Sequence, residues 1–165
     1  MLNSSSPAAV FDEQLKFSEI DAVILDGHIQ KFNSNPNDVD TRFEYALALS
    51  RSNDVNNKRI AIRHFYSLSC CEKYSKDAIY YLAVLHYQLK EYERARTYVE
   101  GLYKANPDSP QIKNLFAAVT QRHNEDRKRK EKESADFNTG AAVIGAAAAL
   151  IGGIFLMKKK IGQHT

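Results

Sequence analysis

Tryptophan is absent, and cysteine, proline and glycine number only two, four and seven in 165 residues. Two adjacent thiols, Cys70 and Cys71, cannot build a disulfide framework, which excludes a secreted disulfide scaffold and points to a reducing compartment. They also lack the CxxC spacing of a redox site, and neighbouring cysteines bridge only with strain. Within residues 10–121 the prolines fall at Pro36, Pro107 and Pro110, where turns are wanted, so nothing interrupts long helices elsewhere. Four of the glycines (Gly140, Gly145, Gly152 and Gly153) crowd near the C-terminus, so the rest of the chain is a different material.

One-sided charge is missing too. The formal net charge is +3, but residues 1–121 are close to neutral, and the basic excess flanks a single apolar run. A nucleic-acid-binding body, which needs a basic face, is excluded on that ground. Catalysis finds no foothold. His28, His64, His86, His123 and His164 show neither metal-ligand spacing nor a local carboxylate or cysteine partner set. Gly140 and Gly145 have the glycine spacing of a phosphate-binding loop, but Ala146 and Ala147 stand where Lys and Ser/Thr are required. The expectation is a non-enzyme with no cofactor and no metal.

What is present begins with the tail. Residues 140–157, GAAVIGAAAALIGGIFLM, carry no charge. As a helix they span about 27 Å at roughly 1.5 Å per residue, close to the ~30 Å hydrocarbon core of a bilayer. RKRKEKE precedes the run and Lys158, Lys159 and Lys160 close it, as expected of ends that reach the headgroup layer. With only eight residues after it, the segment is expected to act as a C-terminal tail anchor that leaves the body in the cytosol. The span is short, rich in Ala and Gly, and basic at both ends. That combination favours the mitochondrial outer membrane or peroxisomes, with the endoplasmic reticulum open. A small-residue stripe at Ala141, Gly145, Ala149 and Gly153 leaves a homo-oligomer open as well.

Apolar spacing of three and four dominates the body, so it reads as all-α. Helices are expected near 10–33, 41–52, 57–71, 76–89, 92–105 and 110–134. Thr41 with Glu44 fits a capping box, Ser109 before Pro110 fits an N-cap with proline at the first helical position, and residues 34–38 form a turn cluster. The polar stretch RHNEDRKRKEKE is either a solvated helix held by i,i+4 pairs or a flexible tether.

A repeat carries the most specific signal. Residues 76–109 fill one 34-residue tetratricopeptide frame: Leu82 and Ala83 on the first helix, Tyr92, Ala95, Val99 and Leu102 on the second, Pro107 closing the unit. Ile79 and His86 stand where the pattern prefers Trp and Tyr. The preceding segment repeats the frame, with Phe43, Ala46 and Leu49 matching Tyr80, Ala83 and His86 at an offset of 37. Ala61, Phe65 and Leu68 match Ala95, Val99 and Leu102 at an offset of 34. Two such repeats with one flanking helix on each side predict a six-helix solenoid bundle.

In this repeat the first helix of each pair lines a groove. Its inner positions fall at Phe43, Leu47 and Arg51 in the first repeat and at Tyr80, Val84, Tyr87 and Gln88 in the second. An apolar and aromatic floor with polar ends suits a helix or extended peptide. A clamp for chaperone tails would need Lys and Asn where Phe43 and Leu47 stand. The expected organisation is therefore an N-terminal arm (1–14), a tetratricopeptide-like domain (15–121, repeats about 39–73 and 76–109), a charged tether (122–139), an anchor (140–157) and a basic tail (158–165). The arm is expected either to be disordered or to fold Val10 and Phe11 back over the groove in competition with a partner.

RFEYALALSRSND (42–54) and YYLAVLHYQLKEYERARTYVEGL (80–102), with the apolar C-terminal segment and its basic end, resemble the mitochondrial fission protein 1 family over about residues 15–160. The resemblance implies a six-helix cytosolic bundle anchored in the mitochondrial, and also the peroxisomal, membrane. It implies a role in organelle division by recruiting a dynamin-related GTPase, directly or through adaptors. The family's partner-binding surface maps onto the row Phe43, Leu47, Tyr80, Val84 and Tyr87. The alternative is a tail-anchored receptor of the same repeat acting in mitophagy or protein import. An apoptosis regulator of the helical, grooved kind is disfavoured, because its Trp-containing motif has no counterpart here.

Overall fold

The computed structural model describes the backbone of residues 6–16 and 19–161, and side chains for 6–16 and 19–137. Seven helices lie among the described residues: α1 (Pro7–Lys16), α2 (Ala22–Ser34), α3 (Val39–Ser50), α4 (Val55–Leu68), α5 (Ser75–Gln88), α6 (Tyr92–Ala105) and α7 (Pro110–Ile161). They fall into two units, Met1–Asn124 and Glu125–Thr165.

The helix expected over 10–33 is two helices. Asp21 ends the connection by taking the N-cap of α2, its carboxylate accepting from the Val23 N–H at 2.7 Å. The missed beginning of α1 was written in Ser6-Pro7. Pro7 opens the helix and the Ser6 hydroxyl accepts from the Ala9 N–H at 3.3 Å. The same Ser-Pro device opens α7 at Ser109-Pro110, where it was read. The capping box at Thr41 and Glu44 is not the start of α3. Asp38 caps that helix through the Thr41 N–H at 2.7 Å, leaving Thr41 buried inside it and Glu44 paired with Lys31.

The repeat register is visible in the packing. Ala46, Leu49, Ala61, Phe65 and Leu68 join Ala78, Leu82 and Leu85 in one core cluster. Ala83, Ala95 and Val99, the counterparts one repeat on, are fully buried in a second cluster completed by Leu115, Ala118 and Val119 of α7. His86, where the pattern prefers Tyr, is 4% exposed. It is kept in the core by a 2.5 Å hydrogen bond between Nδ1 and Glu91 Oε2 and by stacking on Tyr98 at 5.6 Å.

Between α5 and α6 the chain turns through Lys90 in the left-handed conformation, φ 60°, the only non-glycine with positive φ among the described residues. The Glu91 N–H reaches the His86 carbonyl at 2.8 Å and the Lys90 N–H the Tyr87 carbonyl at 3.0 Å, the double bond pattern of a left-handed helix end. That turn delivers Glu91 to both His86 and Arg59.

In the second unit the charged stretch is helical. Asp126 pairs with Arg129 and Lys130, and Arg127 with Glu131, all within one helical turn. Among the described residues no helix is long and apolar enough to cross a membrane. The expected anchor over 140–157 and Lys158, Lys159 and Lys160 lie outside the residues whose side chains are described.

Candidate functional site

The first helices of the two repeats present their inner positions to a cleft of about 620 Å³. Leu47, with Ser50 and Arg51 at the end of α3, forms one side. Tyr80, Val84 and Gln88 of α5 form the floor, and Gln111 and Asn114 of α7 the far side. The floor is aromatic and mostly withdrawn from water. Burial pushes the Tyr80 hydroxyl above its ordinary range, partly offset by a hydrogen bond with Gln111, and burial does the same to Tyr81.

The remaining wall is α1. Phe11, Gln14 and Leu15 line the cleft, while Ala8 and Phe11 are buried against α5, α6 and α7. The Phe11 and Tyr87 rings meet edge to face, their centroids 5.4 Å apart. Polar contacts then fix the helix. The Ala8 N–H donates to Gln121 Oε1 at 3.1 Å, one of the unpaired donors that a helix start must place. Asp12 accepts from the Tyr87 hydroxyl at 2.8 Å and from the Arg122 guanidinium at 2.6 Å. Burial, then the bond to Asp12, holds the Tyr87 hydroxyl far above its usual range, so it is a permanent donor.

Of the seven residues expected to form the groove, Leu47, Arg51, Tyr80, Val84 and Gln88 come together around one cleft. Tyr87 does not line it. It is 4% exposed, a core residue beneath α1. Phe43 is also turned elsewhere, stacked on Tyr74 at 4.2 Å and edge-on to Phe65 at 5.9 Å. The reason is the same in both cases: a large ring on the inner face finds a neighbouring apolar surface that covers it. For Tyr87 that surface is α1, and of the two arm residues expected to fold back, Phe11 is buried whereas Val10 stays 45% exposed. Sequence reasoning missed Asp12, Gln121 and Arg122, because a polar contact spanning about a hundred residues leaves no local pattern.

Among the described residues no three His, Cys, Asp or Glu side chains converge as metal ligands would. Cys70 is exposed and Cys71 half-exposed, both as free thiols. The His86–Glu91 pair, its imidazole buried and its carboxylate half-buried, lies away from the cleft. Arg59, and after it His86, hold the Glu91 carboxyl below the usual carboxylate range. The arrangement as a whole can bind an apolar segment.

Residues 76–127 match the family described as the Fis1 C-terminal tetratricopeptide repeat. The chain is 34% identical to the mitochondrial fission 1 protein of Bos taurus over 116 residues, covering 69% of this chain and 70% of that one. The crystal structure of fission protein Fis1 from Saccharomyces cerevisiae superposes with a TM-score of 0.65 at 25% identity, over 70% of this chain and 95% of that one. Yeast Fis1 in complex with an Mdv1 fragment containing N-terminal extension and coiled coil domains superposes with a TM-score of 0.62 at 28% identity, over 72% of this chain and 94% of that one. The tetratricopeptide-like fold, the register of its repeats and these likenesses agree: the chain belongs to the mitochondrial fission 1 protein family.

Proposed function

We propose that the chain is a non-enzymatic adaptor of the mitochondrial outer membrane that promotes fission by taking a helical segment of another fission protein into the cleft. The observation that carries this is the cleft itself. Five inner-face residues from two different repeats converge on about 620 Å³ of mostly apolar space, enough for the side chains of one helical turn of a partner. Yeast Fis1 has been crystallised with an Mdv1 fragment, which makes an adaptor protein with a coiled coil the leading class of partner here. Such an adaptor would in turn bring a dynamin-related GTPase to the membrane. Residues 140–157 supply the anchor, with Lys158, Lys159 and Lys160 on its far side and the N-terminal body in the cytosol. A share of the chain on peroxisomes follows from the same tail.

The test is expression of the full chain, tagged at its N-terminus, in cells depleted of their own fission 1 protein. Signal around mitochondria and restored division are expected. The Leu47→Ala, Tyr80→Ala double variant should keep the location and lose division. Full division in that variant would move recruitment off the cleft, and a signal away from mitochondria would overturn the anchor.

A further inference from the structure

Among the described residues that line the cleft a single side chain is charged, and it is a cation, Arg51. The other polar ones, Gln14, Ser50, Gln88, Gln111 and Asn114, are neutral, and no carboxylate stands among them. Arg51 is exposed, and its backbone is pinned on both sides at the end of α3. Its N–H donates to the Ala48 carbonyl at 3.2 Å, and its carbonyl accepts from the Ile20 N–H at 3.1 Å. The charge is felt inside the cleft. Burial and then Asp77 push the Tyr81 hydroxyl up, and Arg51 pulls it back. A guanidinium carries several N–H donors in a rigid fork, so it can hold a carboxylate beside whatever contacts it keeps within the chain.

From this we infer that the cleft selects an adaptor helix with an aspartate or glutamate one turn from its apolar anchor, the carboxylate pairing with Arg51 while the anchor lies between Leu47 and Val84. This inference rests on the recruiting role proposed for the cleft. The spacing comes from the repeat. Leu47 and Arg51 of α3, like Val84 and Gln88 of α5, stand four residues apart, about 6 Å at roughly 1.5 Å per residue. A partner helix that follows the groove meets the two levels with side chains at i and i+3 or i+4. An uncharged helix would fill the apolar floor equally well, but it would cover the guanidinium without a counter-charge, and a lysine at that place would be repelled. A carboxylate is attracted, and no charge in the lining opposes it. The apolar surface beside Arg51 keeps water back, which strengthens the pair over a fully exposed one. The single charge thereby sets which helices enter and in which register.

Exchanging the charges tests this. Full-length chain in detergent micelles is titrated with the Mdv1 fragment containing N-terminal extension and coiled coil domains. Arg51→Gln should bind it about tenfold more weakly and Arg51→Glu about a hundredfold. Arg51→Lys, which keeps the charge and loses the fork, should fall between the unaltered chain and Arg51→Gln. Each Asp and Glu of the fragment is then changed to Lys in turn. One such change should restore at least about tenfold in binding to Arg51→Glu while weakening binding to the unaltered chain, an exchange that a misfolded variant cannot produce. In Arg51→Gln, neutralising that same acid should cost nothing further. Equal binding by the unaltered chain and Arg51→Glu, or no acid that passes either the exchange or the neutralisation, would overturn the inference. Should Leu47→Ala weaken binding while Arg51→Glu leaves it unchanged, the acid rule fails and recruitment through the cleft stands. Should neither change matter, or the fragment not bind the unaltered chain, recruitment through the cleft fails and the acid rule with it. A chain that dimerises alone, and loses the dimer in Arg51→Glu, would make the occupant a second copy and overturn the inference too.

Discussion

The two repeats carry matching positions with different fates. Leu47 of the first and Val84 of the second stand 37 residues apart at the same point of the frame, as do Ser50 and Tyr87, and Arg51 and Gln88. The positions that hold each helix pair together are buried alike: Ala46 and Ala83 are fully buried, as are Phe65 and Val99. The inner face is where the repeats part. In the second, Val84 and Tyr87 are buried at 7% and 4% exposure beneath Ala8 and Phe11 of α1. In the first, Ser50 is buried like its counterpart Tyr87, but Leu47 stays half-buried at the edge of the cleft. A repeat therefore specifies its internal packing by itself, whereas the exposure of its groove is decided by a distant segment.

That contrast can be broken hardest at the shared core. Phe65→Ala removes the largest fully buried side chain of the first repeat and should cost about 3–5 kcal/mol. Chemical denaturation of the full chain would measure it, and a cost below about 1 kcal/mol would mean that the first repeat is not packed as described. Tyr87→Phe probes the asymmetry itself. Losing the hydroxyl that donates to Asp12 should cost about 1.5–3 kcal/mol, the range for a bond to a charged group, and should increase protease cutting within residues 7–16. Ser50→Ala at the matching position of the first repeat should leave that cutting unchanged.

Acid sharpens the comparison from another side. Glu91 belongs to the second repeat and ties it to Arg59 of the first, and its carboxyl is held below the ordinary value of 4.5, chiefly by Arg59. A depressed carboxyl stabilises the fold fully above that value and loses its contribution as pH falls through the range below it. Glu91→Gln should therefore be less stable than the unaltered chain at neutral pH, with the gap narrowing below pH 4.5. Thermal melts from pH 7 down to acid would show a constant gap if the group did not titrate this way. The smallest effect is expected at Lys90, whose left-handed backbone glycine would adopt without penalty. Lys90→Gly should raise stability by about 1 kcal/mol, read as a rise in melting temperature.

How much of this was legible in the sequence depends on the range of the interactions. Helices α3 to α6 follow from apolar spacing and fall within three residues of the expected boundaries, because their signals are local and the repeat states them twice. The break before Asp21 was missed because the apolar pattern runs on through Ile20, Ala22 and Val23, and one capping aspartate outweighs it. Helix α1 was announced by Ser6-Pro7, a cue read at Ser109-Pro110 and overlooked at the start of the chain. Five cleft residues were legible because groove positions recur at fixed offsets. Tyr87 was misplaced because its cover comes from Phe11 and from Asp12, which lies 75 residues from Tyr87 and 110 from the Arg122 that also holds it, and no period encodes such separations.

Recruitment through the cleft is most directly tested by a binding titration of the full chain with the coiled-coil adaptor proposed as its partner, comparing Leu47→Ala with Tyr66→Ala. Leu47 lines the cleft and Tyr66 is exposed on α4 away from it. The account predicts that binding weakens at least about tenfold in Leu47→Ala and is unchanged in Tyr66→Ala. Equal affinity in the two variants, with both folded, would contradict it.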